Sequence, residues 1–488
     1  MSEPHRLHPA AIVLMGLQIV RQFAIPALIP IVLRIINDGL GAVSLQTAVI
    51  TGAILLALLG LSTAYGVLSW HRFTYRVEAG ELRIEQGIVN HQRRYIPLER
   101  IQTFDTSQGL IQRALGVVSV RVETAGGGGA SPEVSLLGIA QADSEQLRQA
   151  LAAGRAGIAP ETPEAFSADV TDVLPPPANV WKLSANDLLL AGSTGGRAGV
   201  ALSIIVAAIS LADNLIPYDR VEGLVERLTG VVVIIGVAVV VAFATWLLGI
   251  AGTILAHAGF TITQQGDHLL IERGLLERRR ATIPIERIQA IRVLEGVIRQ
   301  PFGLVELRVE SAGYGAKAGE STVLCPLLRR KDVQAFLERM APAMAVEGVF
   351  EPLPRKARRR YIFQVPVQIQ FPLVIVPVSY FFYPLGLLSL LLIPAHMLLG
   401  YWQYRDAGWS VVGETLLLRW RMLGRTTAIV PRRRVQNGAT QQNPFQRRAG
   451  LSNLSVRVPS GAGGASFGLM HMDHETALRL LAWFSPRR

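Results

Sequence analysis

The residues of this chain best suited to chemistry are arginines, and they gather in two places. Arg355, Lys356, Arg358, Arg359 and Arg360 form one run. Arg419, Arg421, Arg425, Arg432, Arg433 and Arg434 form the other, with Trp420 interleaved. A guanidinium is planar, permanently charged and donates in a fork that matches phosphate oxygens, so both groups are candidates for binding phosphate or lipid headgroups. Each cation within about 10 Å of an anionic membrane surface gains about 1 kcal/mol. Each cluster also has a plainer reading. The first could be a topology anchor beside a membrane span, and the second a solvated edge of a β-barrel.

Other groupings carry less. Glu99-Arg100 and Glu286-Arg287 invite a catalytic reading, but their neighbours Ile96, Leu98 and Ile101 have the spacing of inward-packing residues on a strand or turn. His471, Asp473 and His474 resemble metal ligands, yet they read better as a strand-to-helix corner with Asp473 as the helix cap. Gly126–Gly129 lacks the Lys-Ser/Thr and the following helix of a phosphate loop, and reads as a hairpin. Cys325 is the only cysteine, which excludes an intrachain disulfide and a cysteine metal cage. It also has no His/Asp arrangement to make it a nucleophile. No catalysis, metal or cofactor is expected.

The elements that must position these arginines are set by composition. The chain has 488 residues, of which 50% are hydrophobic and 17% charged. Its mean hydropathy is +0.34. That balance fits a membrane protein rather than a soluble one. The net charge of +12 suits either nucleic acid or an anionic membrane face. No nucleic-acid motif is present, so the expected partner is the lipid bilayer with its anionic headgroups, and nucleic acid is not expected.

A helix that spans the hydrocarbon core needs about 20 apolar residues. Ala10 to Leu33 qualifies, with Arg21 and Gln22 as blemishes, and Ala48 to Ser69 follows after a short loop. Ala198 to Ala212, extended back through Leu188, pairs with Thr229 to Ala256. Arg360 and Arg405 bracket 361–404, long enough for two spans with a turn at Tyr383-Pro384-Leu385-Gly386. The expectation is six spans in three hairpins, at 10–70, 188–256 and 361–404. The turns inside the hairpins are poor in Lys and Arg, whereas the flanking segments are rich in them. The positive-inside rule then puts both termini and all intervening domains in the cytoplasm.

After each hairpin the same stretch returns. Pro97, Glu99, Arg100 and Gln102 reappear as Pro284, Glu286, Arg287 and Gln289, and more loosely as Pro431 and Gln436. The offset from Pro97 to Pro284 is 187, and so is that from Arg121 to Arg308. In the third copy the offset is 147 at the proline but 149 from Arg308 to Arg457, which reads as a gain of two residues. Around each signature, alternating apolar residues predict about seven short antiparallel strands, and a closing helix follows. The fold class is therefore α+β, with repeat domains at 71–153, 257–341 and 405–488. Segments 154–187 and 342–360 are linkers, the second basic.

Ile96 to Gln102 with Gly116 and Val120 to Gly126, and Ile283 to Gln289 with Gly303 and Leu307 to Gly313, resemble the bacterial pleckstrin-homology-like (PH-like), membrane-flanked domain family. The order of hairpin, domain and linker, three times over, is similar to its large three-domain members. The resemblance implies a cytoplasmic PH-like β-barrel or sandwich with a C-terminal helix after each hairpin, on the bacterial cell membrane, with no established enzymatic activity. It also suggests a shorter single-domain relative as a partner. Arg432 and Arg433 depart from the pattern of the first two copies. The function expected is a membrane scaffold presenting three domains to proteins, other copies of itself or lipid headgroups. The alternative is a transporter or lipid-handling, envelope-maintenance protein with regulatory domains.

Overall fold

The computed structural model describes residues 5–20, 22, 45–78, 80–87, 91–98, 101–124, 134–155, 179–195, 230–311, 322–365, 375–381, 385–460 and 464–484. Arg21, Glu99, Arg100, Gly126–Gly129, the predicted span Ala198 to Ala212 and half of the first predicted span lie outside these residues.

Three units of seven strands follow one another. The first comprises β1 (His5–Arg6), β2 (Thr74–Glu78), β3 (Glu81–Gln86), β4 (Gln92–Pro97), β5 (Ile101–Gln108), β6 (Val117–Thr124) and β7 (Val134–Ala140). The second comprises β8 (Asn179–Lys182), β9 (Thr261–Gln265), β10 (His268–Arg273), β11 (Arg278–Pro284), β12 (Ile288–Glu295), β13 (Leu304–Ser311) and β14 (Thr322–Arg329). The third comprises β15 (Glu351–Pro352), β16 (Gly408–Val412), β17 (Thr415–Arg421), β18 (Arg425–Pro431), β19 (Asn437–Gln441), β20 (Leu451–Val458) and β21 (Ala465–Asp473). Helices Gln141–Arg155, Val333–Met340 and His474–Phe484 close the units. Strands β8 and β15 lie in the segments the sequence suggested were linkers. The first strand of each unit thus precedes the predicted hairpin, and the remaining six follow it.

The signature forms a corner. In the second unit β11 ends at Pro284, a 3-10 turn covers Ile285–Arg287, and β12 begins at Ile288. Proline suits the end of a strand because it cannot donate to a ladder. Here the chain leaves one sheet and enters another, since β11 and β12 belong to different sheets. Each unit is therefore two half-sheets packed face to face, with its own apolar core between them.

The half-sheets of successive units join. One seven-stranded sheet runs β7-β6-β5-β11-β10-β9-β8, and another runs β14-β13-β12-β18-β17-β16-β15. The first seam pairs Thr106 with Arg280, Ser107 with Arg279 and Gln108 with Arg278. The second pairs Val293 with Thr427, Leu294 with Thr426 and Glu295 with Arg425. Taking Pro97, Pro284 and Pro431 as equivalent, these are the same register. The two terminal sheets are smaller, β1-β2-β3-β4 and β19-β20-β21.

The pairing also corrects the reading of the third copy. Ala290 faces Glu310 in the second unit, and Asn437 faces Arg457 in the third. The offset is thus 147 on both strands, and no residues have been gained before β20. Arg457 stands where Glu310 stands, and Ser455 where Arg308 stands. Strand side chains alternate with period two, so a slip of two residues preserves the inward pattern and is invisible to it.

Among the described residues, two helices contain stretches long and apolar enough to cross a membrane, Gly52–Arg72 and Val239–His257. The other four predicted spans are not established by the described residues. Helix Ala11–Ile19 packs on Leu45–Arg72, Ala185–Thr194 on Gly230–His257, and Arg355–Val365 on Leu392–Asp406. Glycines allow these crossings, as small residues do where membrane helices meet. A Cβ on Gly400 would lie 2.3 Å from the Tyr361 carbonyl oxygen, and one on the repeat-equivalent Gly66 would lie 2.7 Å from that of Ile12. Side chains then fix each helix pair to its unit. Trp70 donates to the Leu7 carbonyl at 2.7 Å, and Tyr361 to that of Met470 at 3.0 Å. Buried Arg299 donates to Thr194 Oγ1 and the Ala191 carbonyl, both at 3.2 Å.

Candidate membrane-facing surface

The first arginine run lies on the helix Arg355–Val365. Leu353, Ala357 and Tyr361 recur every four residues and are buried in the core of the third unit. That choice of face leaves Arg355, Lys356, Arg358 and Arg359 exposed. Arg358 lies 5.3 Å from the Tyr401 ring centroid and Arg360 lies 5.8 Å from that of Phe445. Arg360 also donates to the Phe445 carbonyl at 2.9 Å. This helix presents cations to solvent at the foot of the third helix pair.

The second cluster divides. Arg421 donates to Asp406 and, at 2.6 Å, to Gln300 Oε1 of the second unit. Arg425 is bidentate to Glu295, whose side chain is only 4% exposed. Burial opposes the charge on Arg425, but the hydrogen bonds and charge of Glu295 outweigh it and hold the guanidinium above its usual pKa. Arg419 donates to the Asp406 carbonyl at 2.7 Å and stacks over Phe350. Burial, then the neighbouring Arg425, lowers its pKa. Arg421 and Arg425 thus fasten the second seam. Arg432 sits by Glu414 and lies 5.4 Å from the Trp483 ring centroid. Arg434 donates to the Glu286 carbonyl in the corner of the second unit. Arg433 is exposed.

The signature residues serve the corners. Pro97, Pro284 and Pro431 each end a strand. Gln289 donates to the Arg287 carbonyl at 2.9 Å, and the Gln436 amide to that of Arg457 at 2.9 Å. Glu286 and Arg287 lie on the 3-10 turn, and Gln102 lies in β5.

A second feature escaped the residue-type search. The β10–β11 turn exposes Leu275 and Leu276, and the equivalent β17–β18 turn exposes Met422 and Leu423. The first is held to the end of a membrane-length helix: the Gly274 amide donates to the Ala258 carbonyl and the Leu275 amide to that of Leu255, each at 2.9 Å. Gln403, near the end of Leu392–Asp406, donates to the Met422 carbonyl at 3.1 Å. Val297 and Ile298 are exposed on the turn after β12, and Phe445 is exposed on the short helix Pro444–Ala449. A signal was available in the sequence, because Ile88-Val89, Leu275-Leu276 and Met422-Leu423 recur at the repeat offsets in segments that read as turns.

His471, Asp473 and His474 do not converge on a common point. Asp473 accepts from the Thr476 amide at 3.3 Å as a helix cap. The buried His471 ring receives the Gln446 amide at 2.9 Å. Burial, then the charge of Arg360, pushes its pKa down to about 4. Among the described residues no group of three His, Cys, Asp or Glu could hold a metal ion. Cys325 is buried in β14.

Comparison with known proteins agrees with this architecture. The model of the bacterial PH domain matches residues 24–155, 201–344 and 369–488. The chain is 34% identical over 498 residues, covering 99% of both chains, to the UPF0699 transmembrane protein YdbT of Bacillus subtilis (strain 168). With three matched repeats, a transmembrane relative and, among the described residues, two membrane-length helices, this chain belongs to the bacterial PH-domain family and is a membrane protein.

Proposed function

We propose that the protein is a non-enzymatic scaffold in the bacterial cell membrane. Six spans in three hairpins hold the three PH-like units against the cytoplasmic leaflet, where they contact anionic headgroups. One observation carries the reading: Arg355, Lys356, Arg358 and Arg359 stand exposed on a helix that leads into the third hairpin. Apolar pairs on turns beside the helix ends complement them, with Leu275-Leu276 and Met422-Leu423 entering the headgroup region as interfacial side chains do. The seam arginines Arg421 and Arg425 are neutralised by Asp406 and Glu295 and take no part.

The test is thermal unfolding of the full chain in detergent micelles doped with phosphatidylglycerol or phosphatidylcholine. Anionic lipid should stabilise the native protein, and changing the four exposed cations to serine should remove most of that gain, up to about 1 kcal/mol for each. Equal response of both proteins to both lipids would sink the headgroup reading. Reporter fusions at Gly41 and Pro384 should report the outer face, and a cytoplasmic signal at either would overturn the topology.

A further inference from the structure

Each seam joins the fifth strand of one unit to the fourth strand of the next, in one register. Two strands of these same types remain at the ends of the array. Among the described residues, β4 lies at the outer edge of the first sheet and β19 at the outer edge of the last. We infer that β19 of one chain pairs with β4 of a second copy, repeating the internal seam between molecules.

Three observations support this match. The first is edge chemistry. An unpaired edge presents a row of amides and carbonyls that templates another strand. Strand β12, paired on both sides, is buried along most of its length, whereas β19 is not. The second is side-chain type. The first seam sets Arg278, Arg279 and Arg280 against the uncharged Gln108, Ser107 and Thr106. Carrying the register over sets Gln92, Arg93 and Arg94 against Gln441, Thr440 and Ala439. Charged edge residues often deter pairing, but an arginine-rich strand is what the first seam already uses.

The third is shape. The same register sets Tyr95 opposite Gly438. Tyr95 is 52% exposed, whereas its counterpart Ile429 is 4% exposed and packs in the core of the second unit. Gly438 has no side chain, and Leu481 and Phe484 lie near where its Cβ would be. An aromatic ring entering from the opposite strand would cover them, a known compensation for a glycine in a sheet. The step from the third unit to the next first unit repeats the internal step, so neighbouring helix pairs keep to the same side. The contact is head-to-tail and generates a ring if its rotation closes, or a row of molecules if it does not. It stands independently of the headgroup contact proposed above.

The test uses full-length chains in native membranes. Arg93→Cys and Thr440→Cys are placed on separate, differently tagged chains, co-expressed and oxidised. The native thiol Cys325 is buried and adds little background. The mixed pair should give a disulfide-linked dimer at least tenfold above either single variant alone. A chain carrying both changes should give a ladder of multimers. Thr106→Cys with Arg280→Cys, across the first internal seam, serves as the positive control. Absence of the mixed dimer while this control cross-links would overturn the inference. So would a double variant that closes only on itself at monomer size. Gly438→Glu should reduce the mixed dimer strongly without affecting the internal control, and an unchanged dimer yield would count against the register.

Discussion

Removing the carboxylate of Glu295 should loosen the second seam. It is almost wholly buried and accepts both arms of Arg425, with Arg330 at 3.4 Å and half exposed. Glu295→Ala leaves Arg425 in a partly desolvated site. Breaking a fully buried pair from one side costs about 3–5 kcal/mol. Two features reduce that figure here. The Arg425 side chain is 19% exposed, and Asp406 lies 3.7 Å away as a substitute partner. The expected loss is therefore about 2–3 kcal/mol. Arg425→Ala should cost a similar amount, and the double variant should cost less than the sum of the two, with a coupling of about 1–3 kcal/mol. The assay is denaturant unfolding of the full chain in detergent, followed by tryptophan emission, since Trp409 and Trp420 lie on β16 and β17. The repeat-equivalent Gln108→Ala should have little effect. Additive single changes, with coupling near zero, would refute the clamp.

The other expectations concern separate parts of the fold. His471 is held neutral, so only the unfolded chain takes up its proton as pH falls from about 6.5. The third unit should lose on the order of 3 kcal/mol between there and about pH 4. His471→Asn, which tolerates the φ of 57° at this position, should flatten that part of a stability-versus-pH curve. Gly400→Val must displace the Tyr361 backbone and should cost about 1–3 kcal/mol or more, whereas Gly52→Val, with open space around it, should be neutral in the same thermal assay. Changing Leu275 and Leu276 together to serine should reduce labelling of the second unit by a photoactivatable lipid without lowering its melting temperature; unchanged labelling would remove these residues from the membrane surface.

The repeats were legible because three copies of one pattern reinforce each other. Ile96, Ile283 and Val430 each precede the signature proline, and the 187-residue offset fixes two copies without a gap. The third register was misread because a two-residue slip leaves every inward residue inward. The role of Arg421 and Arg425 was hidden for a different reason. Their partners Gln300 and Glu295 lie in the preceding unit, and an inter-unit seam leaves no mark in local spacing. The first strand of each unit was missed because it is short, and in the second and third units it sits in a segment rich in proline or charge. The basic helix was missed as well: Arg355 to Arg360 read as the end of a linker because arginines dominate it, and only the four-residue spacing of Ala357 and Tyr361 marks its buried face.

The most direct measurement of the shared-sheet architecture is an internal cross-link. Thr106→Cys with Arg280→Cys, in a chain with a protease site placed in 156–178, should form a disulfide on mild oxidation in native membranes. After cleavage the two fragments should remain together on a non-reducing gel and separate on reduction. Fragments that separate without reduction, or that cross-link equally well when the second cysteine is moved to Thr282, would contradict units joined through β5 and β11 in this register.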